Sequence, residues 1–318
     1  MKKLLFILNP RAGMRRVNRV LPEILRLFAE KDYRCETFVT GAAGDATSFL
    51  SRLKPREFDL IVCAGGDGTL NETITGMLKR GIECPLGYIP CGTTNDYASS
   101  IGLSSDIMQA AQDIIKGTPC AFDVGEFNGR PFVYTATCGA FAKASYTTSQ
   151  TAKNLLGHAA YVLEGARDLA ALKPMRLFIE TDEYDLEDDF LLCSITNSTS
   201  VGGILKLDSQ LVALNDGRFE VTLVKYPATP AQFSRILYGL TTMEIPNEMI
   251  YFFSTPNLRV RCSTPVEWTL DGEREPETAE VSLNNLHSAV RIIIPKRGQD
   301  NPALSGSKEV EDEDQLSD

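Results

Sequence analysis

The first 120 residues alternate between short apolar runs and amphipathic segments, and no other feature constrains the fold as tightly. Residues 3–9 (KLLFILN) are an apolar run closed by turn residues, which reads as a strand. Residues 16–30 then place Val17, Val20, Leu21, Ile24, Leu25 and Phe28 at helical spacing. The rhythm continues with strand-like 35–40, helical 45–54, strand-like 59–64, helical 70–80, strand-like 85–90 and helical 105–116. Short connections between such elements predict βαβ units and a parallel sheet covered on both faces. After Gly117 the pattern changes. Residues 119–128 and 131–138 are β-rich and flank Asn128-Gly129, a strong hairpin signal. A helical stretch near 150–172 follows. Strand-like segments then occupy 175–181, 189–196, 218–225, 249–253, 257–262, 266–271, 279–283 and 289–294, interrupted by one helix near 230–242.

The chain has 318 residues, and at roughly 150 residues per domain two domains are expected. The expected division is an α/β domain over 1–122, a β-rich, antiparallel, sandwich-like domain over 123–297, and an acidic disordered tail over 298–318. The last strand, near 289–295, is placed to return to the first domain. Net charge is −10, which disfavours nucleic acid and broad adhesion to anionic lipid. Its distribution qualifies that. Residues 1–31 hold eight bases against two acids, whereas 301–318 hold six acids and one base. The apolar run Leu4–Leu8 is far short of the ~20 residues that span a bilayer. Eight scattered cysteines without a C-x-x-C pattern read as free thiols in a reducing compartment, so a cytoplasmic location is expected. His158 and His287 read as structural or surface residues.

Three glycine-containing segments sit where the sheet strands should end: NPRAG (9–13), GGDGTLNET (65–73) and CGTTNDYA (91–98). Ligand crevices of open α/β sheets lie at the carboxyl ends of strands, so the three loops predict one site. Glycines admit close approach of a ligand, and successive N–H groups at a helix start cradle phosphate. Asn71 or Thr69 is expected to cap a helix beginning near residue 71. The pattern G-x-x-x-x-G-K-[ST] is absent, which excludes a P-loop, and Gly66-x-Gly68-x-x-Asn71 lacks the third glycine of a dinucleotide fingerprint. Asp67 inside the glycine loop would repel a triphosphate unless a divalent cation intervened, which points to Mg²⁺-nucleotide.

GGDGTLNE after a strand, with NPRAG upstream and GTTNDYA downstream, resembles the catalytic domain of soluble bacterial diacylglycerol kinases and the related lipid kinases. The resemblance continues through Gly202-Gly203, Ala213-x-x-Asp216-Gly217 and Leu270-Asp271-Gly272-Glu273, and so covers about residues 3–295. It implies a first domain of the phosphofructokinase and NAD-kinase type. It also implies that Asn9, Pro10, Arg11, Ala12, Gly13, Thr40, Gly65, Gly66, Asp67, Gly68, Thr69, Glu72, Thr93 and Asn95 bind ATP. By the same resemblance Asp67, Asp96 and Asp123 organise a catalytic Mg²⁺, and Glu273 is the general base. Asp216, with the backbone carbonyls of Ala213 and Arg218, corresponds to a separate structural Mg²⁺ site. Three departures are visible: Ala12 where the family has Ser or Thr, Ile204 where a third glycine is common, and Asp208-Ser209 where a proline is usual.

The implied function is an ATP- and Mg²⁺-dependent lipid kinase, with diacylglycerol as acceptor and phosphatidic acid as product. Such an enzyme meets its membrane lipid by transient peripheral contact; a homodimer fits the family, although no pattern in the chain calls for one. Other readings stay open: a kinase of another lipid such as phosphatidylglycerol or a sphingoid base, an NAD kinase, or a non-catalytic lipid- or nucleotide-binding module. Asp123 could pair locally, Asp216-Gly217 could be a plain turn, and Asp271-Gly272-Glu273 could be only a hairpin tip. Arg11, Arg15, Arg16 and Arg19 form either a solvated helix face or a surface for ATP phosphates or anionic headgroups. The apolar stretch 155–172 reads as core or as a lipid-facing wall.

Overall fold

The computed structural model describes residues 1–93, 95–139, 173–201, 205–206, 212–242, 245–296 and 302–304. The helix expected near 150–172, His158, Gly202-Gly203, Ile204 and Asp208-Ser209 lie outside the described residues, as does the chain from 305 onward. The first half runs β1 (Lys2–Leu8), a 3₁₀ turn (Ala12–Arg15), α1 (Arg16–Ala29), β2 (Tyr33–Val39), α2 (Asp45–Leu50), β3 (Leu60–Gly65), α3 (Asp67–Arg80), β4 (Leu86–Pro90), α4 (Asp96–Ser100) and α5 (Ile107–Lys116). Strands pair in parallel in the order β2-β1-β3-β4. Successive residues of a strand point to opposite faces, so a strand buried on both sides must be apolar throughout. That is the case for β1 from Leu4 to Leu8. Leu4, Phe6 and Leu8 pack with Val17, Ile24 and Phe28 of α1 and Ile114 of α5, while Leu5 and Ile7 pack with Leu50 of α2 and Leu70 and Ile74 of α3.

The second half comprises β5 (Thr118–Phe127), β6 (Arg130–Phe132), β7 (Thr135–Gly139), β8 (Met175–Glu180), β9 (Asp185–Thr196), β10 (Ser200–Val201), β11 (Leu205–Lys206), β12 (Phe219–Lys225), α6 (Pro230–Thr242), β13 (Ile250–Thr255), β14 (Asn257–Val266), β15 (Trp268–Leu270), β16 (Glu273–Arg274) and β17 (Thr278–Ile294). Apart from the β17–β4 contact, the pairings of these strands are antiparallel. They surround a second core that includes Phe132, Phe190, Phe219, Val260 and Trp268. The fold is thus an α/β domain followed by a β-rich one, joined through a single hydrogen-bonded ladder.

Two expectations change here. The strands expected at 279–283 and 289–294 are one strand, β17, whose register against β5 slips between Leu286 and Val290, with Ser288 at φ 53°. The polar stretch between the two apolar runs suggested a loop, but β5 pairs on both sides of it. Its far end reaches the parallel sheet, where Ile292 pairs with Leu86 of β4. Residues 122 and 123 lie in the middle of β5, not in a connection. The disorder expected from 298 is broken by a 3₁₀ turn at Pro302–Leu304, because Ala303 is small enough to bury fully and its carbonyl accepts from the Leu214 N–H at 2.8 Å.

Because β17 crosses from one core to the other, a cavity at its far end should weaken both. Ile292 is fully buried. Ile292→Ala is expected to cost roughly 2–4 kcal/mol in urea denaturation. It should move the unfolding signals of the two halves together; displacement of one half alone would contradict coupling of the two cores through β17.

Candidate active site

The three glycine loops converge at the carboxyl ends of β1, β3 and β4. The Asn9 side-chain amide donates to Thr69 Oγ1 at 2.9 Å and its Oδ1 accepts from the Arg11 N–H at 3.0 Å, tying the first loop to the second. The Cys91 N–H donates to the Gly65 carbonyl at 2.7 Å, and the Asp96 N–H to Asp67 Oδ2 at 3.1 Å, tying the second to the third. The approach is close enough to exclude side chains: a Cβ on Gly92 would lie 2.7 Å from the Gly66 Cα. Asn95 sits at φ 52° and folds its own loop, accepting from the Gly92 N–H and donating to the Gly92 carbonyl. Thr40, after β2, is buried and donates its N–H to the Leu8 carbonyl at 2.9 Å; Thr93 is exposed.

Helix α3 begins at Asp67, so Asn71 and Thr69 lie inside it and cap nothing; the residue at the cap is Gly66, with no side-chain hydrogen bond. A glycine in extended conformation can hand the chain straight from strand to helix, which the preference for a polar cap did not anticipate. The first-turn N–H groups therefore stay open toward the loops. Glu72, one turn along, accepts from the Gly44 and Ala46 N–H groups at 2.7 and 3.2 Å, fastening α2 to α3.

Glu273 comes from the other domain. It follows the Asp271-Gly272 turn joining β15 to β16, and a Cβ on Gly68 would lie only 3.6 Å from Glu273 Oε1. Its Oε2 pairs with Arg130 at 3.1 Å; the same guanidinium reaches Glu275. A cleft of about 510 Å³ opens alongside, between Gly44, Thr47 and Lys79 on one wall and Arg130, Pro131 and Glu273 on the other.

The diacylglycerol kinase catalytic domain model matches residues 3–127. A diacylglycerol kinase of Bacillus subtilis strain 168 is 34% identical over 298 residues, covering 93% of this chain and 97% of that protein. One from Staphylococcus haemolyticus is 31% identical over 307 residues, covering 96% and 92%. The chain belongs to the diacylglycerol kinase family. It is a lipid kinase by class. In fold, a crystal structure of a diacylglycerol kinase from Bacillus anthracis strain Sterne superposes with a TM-score of 0.70 at 22% identity, over 93% of this chain and 97% of that one.

The kinase ties Asp67 to Asp96 through the Asp96 N–H, whereas the contacts of Asp123 run to the turn before β12 and to β17. Asp123, fully buried on β5, accepts from the Gly217 N–H at 2.6 Å and the Ser288 N–H at 2.7 Å, and pairs with His287 Nδ1 at 3.0 Å. It anchors the 213–218 turn to the register slip of β17. In that turn Asp216 Oδ1 accepts from the Arg218 N–H at 2.9 Å, and the Arg218 carbonyl accepts from Asn285 at 3.0 Å. The Ala213 N–H donates to Glu220 at 3.4 Å. Among the described residues no three His, Cys, Asp or Glu side chains cluster as a metal site. His287 is exposed and its Nδ1 meets Asp123 Oδ1. All eight cysteines are free, and burial pushes the Cys63, Cys91 and Cys262 thiols up to about 12.

The residue that sequence reasoning left without a role is Asp271. Its buried carboxylate accepts from the N–H groups of Val133, Tyr134 and Thr135 and from Asn71 of α3, at 2.6–3.1 Å. The Asp-Gly pair signalled a turn, but its partners lie far away in sequence.

Asp67, half-buried, differs from Asp123 and Asp271. Its Oδ1 is buried with no hydrogen-bond partner. Burial, helped by the charges of Asp96 and Asp271, pushes its carboxyl from 3.8 up to about 6, against the pull of the Asp96 and Tyr97 N–H groups. The unfolded chain therefore ionises first, and stability is lost as pH rises from about 4 to 6 and stays lost above that. Asp67→Asn removes this penalty. In chelator-treated protein it should raise unfolding stability by roughly 1–3 kcal/mol at pH 7.5, with the gain shrinking toward pH 4. A pH-independent difference in denaturant titrations would refute it.

Proposed function

We propose that this kinase transfers the γ-phosphate of ATP to the hydroxyl of a membrane lipid, with diacylglycerol the acceptor and phosphatidic acid the product. The observation that carries the reading is the Glu273 carboxylate lying next to Gly68 of the glycine loop. Phosphoryl transfer requires positioned phosphates, charge neutralisation and a carboxylate to take the attacking hydroxyl's proton. The open N–H groups at the start of α3 and the loops at Asn9–Gly13, Gly65–Thr69 and Thr93–Asn95 bind the nucleotide, with Thr40 and Glu72 alongside. Glu273, on the opposite wall, receives the lipid hydroxyl and accepts its proton.

A divalent cation fits the donors present. Asp67 Oδ1 is an unpartnered buried hard oxygen, and Asp96 stands beside it in the same loop junction. Asp67 and Asp96 would hold Mg²⁺, which when bound would supply the positive charge that offsets the phosphates and the repulsion between Asp67 and the nucleotide. Asp123 and the 213–218 turn keep the spacing of the two walls, and a second ion at Asp216 would stiffen that turn. No described helix is long and apolar enough to cross a membrane. The exposed Arg11, Arg16 and Arg19 supply positive charge for peripheral contact with anionic headgroups.

Incubation with labelled ATP, Mg²⁺ and a total lipid extract should label phosphatidate; label in another lipid would move the acceptor, and no label would reject the activity. Glu273→Gln should lower turnover by about 10²–10⁴-fold and leave ATP binding intact. Near-normal turnover in that variant would remove Glu273 from the mechanism.

A further inference from the structure

Glu273 is poorly held by its own contacts. It begins the two-residue strand β16, its side chain is 61% exposed, and its ion pair with Arg130 is itself exposed. Such pairs restrain a side chain little. The rigidity comes from two residues earlier. Asp271 and Gly272 sit at φ 47° and 85°, the left-handed pair of a tight two-residue hairpin turn, so the path from Asp271 to Glu273 is short and fixed.

We infer that Asp271 and Asn71 form a latch between the domains that positions Glu273 at the glycine loop. Asp271 is 8% exposed and offers two oxygens to four donors. Oδ1 takes the Tyr134 and Thr135 N–H groups at 2.9 and 3.1 Å; Oδ2 takes the Val133 N–H and the Asn71 side-chain amide, each at 2.6 Å. Asn71 lies on α3 four residues after Asp67, and its amide also reaches the Pro131 carbonyl at 3.4 Å. The connection closes a ring: glycine loop, first turn of α3, Asn71, Asp271, Gly272, Glu273, and back to Gly68. Only a carboxylate can fill the Asp271 position, because an amide would turn an NH₂ toward one pair of donors. Asp271 is thus a positioning residue, acting through Glu273 and touching no substrate. The inference rests on the proposed role of Glu273.

The test compares Asn71→Ala, Asp271→Asn, the double variant Asn71→Asp/Asp271→Asn and Glu273→Gln, each as full-length protein, by kcat and KM for ATP and by calorimetric nucleotide binding. Asn71→Ala leaves the amide nest around Asp271 intact and should lower kcat about tenfold with nucleotide Kd within about twofold; misplacement of a reacting group by about an ångström can cost 10²-fold. Asp271→Asn should lower kcat by about 10²-fold. Adding Asn71→Asp gives the new amide an acceptor and should recover about tenfold of that loss, which a merely structural defect would not do. Wild-type kcat in Asn71→Ala, a loss appearing only as weaker nucleotide binding, or no recovery in the double variant would each overturn the latch. If Glu273→Gln alone fails, the latch falls and the proposed base stands; if Glu273→Gln turns over normally, both fall.

Discussion

The antiparallel ribbon of β5 and β17 sets the distance between the two walls of the site. Hydrophobic cores in two-domain chains usually end at a linker, and the domains then move as separate bodies. Here Phe122, Val124, Val290 and Ile292 bury into the first core, while Phe127, Val281 and Leu283 of the same two strands bury into the second. The one weak point is the register slip between Leu286 and Val290. Asp123 closes it, with Oδ1 on the Ser288 N–H and on His287 and Oδ2 on the Gly217 N–H. The ribbon thus carries the β-rich side as a body up to the glycine loops.

Two buried carboxylates, Asp123 and Asp271, and the half-buried Asp67 lie where the domains meet, and their treatment separates scaffold from chemistry. A buried carboxylate is costly unless donors replace its water. Asp123 and Asp271 are given those donors in full, mostly rigid backbone N–H groups. Asp67 is given a partner on one oxygen only, and the charge of Asp271 adds to the strain on it. Buried groups left partly uncompensated concentrate at functional sites, because the missing interaction is one a ligand supplies. The contrast holds within one small region, so it reflects how each position is built and not general burial.

Much of this was legible in the sequence, and the reasons are local. β1, β3 and β4 announce themselves as apolar runs because both their faces are covered, and α6 is bounded as its periodicity suggests. Convergence of the three loops followed from strand direction alone. The start of α3 was misjudged because polar caps are common, whereas a glycine that must touch Gly92 leaves no room for one. β17 looked like two strands because Asn284, Asn285, His287 and Ser288 interrupt its apolar pattern; Asn285 donates to the Arg218 carbonyl, and the His287 ring and the Ser288 N–H meet Asp123. Asp271 could not be read at all, since its meaning depends on Asn71, 200 residues away.

The sequence separation explains why the two walls can carry different duties. The glycine loops sit in parallel β-α junctions whose geometry is set by short-range turns and helix starts, an arrangement suited to phosphate groups. Glu273 and Arg130 instead project from hairpin tips of an antiparallel domain, where length and composition of the turn can vary without disturbing the core. A chain built this way can keep its phosphate chemistry while the acceptor-facing wall changes, provided that one buried contact holds the tips in register with the loops. Asn71 and Asp271 are that contact: one on a helix fixed by the glycine loop, the other on a turn fixed by three backbone N–H groups.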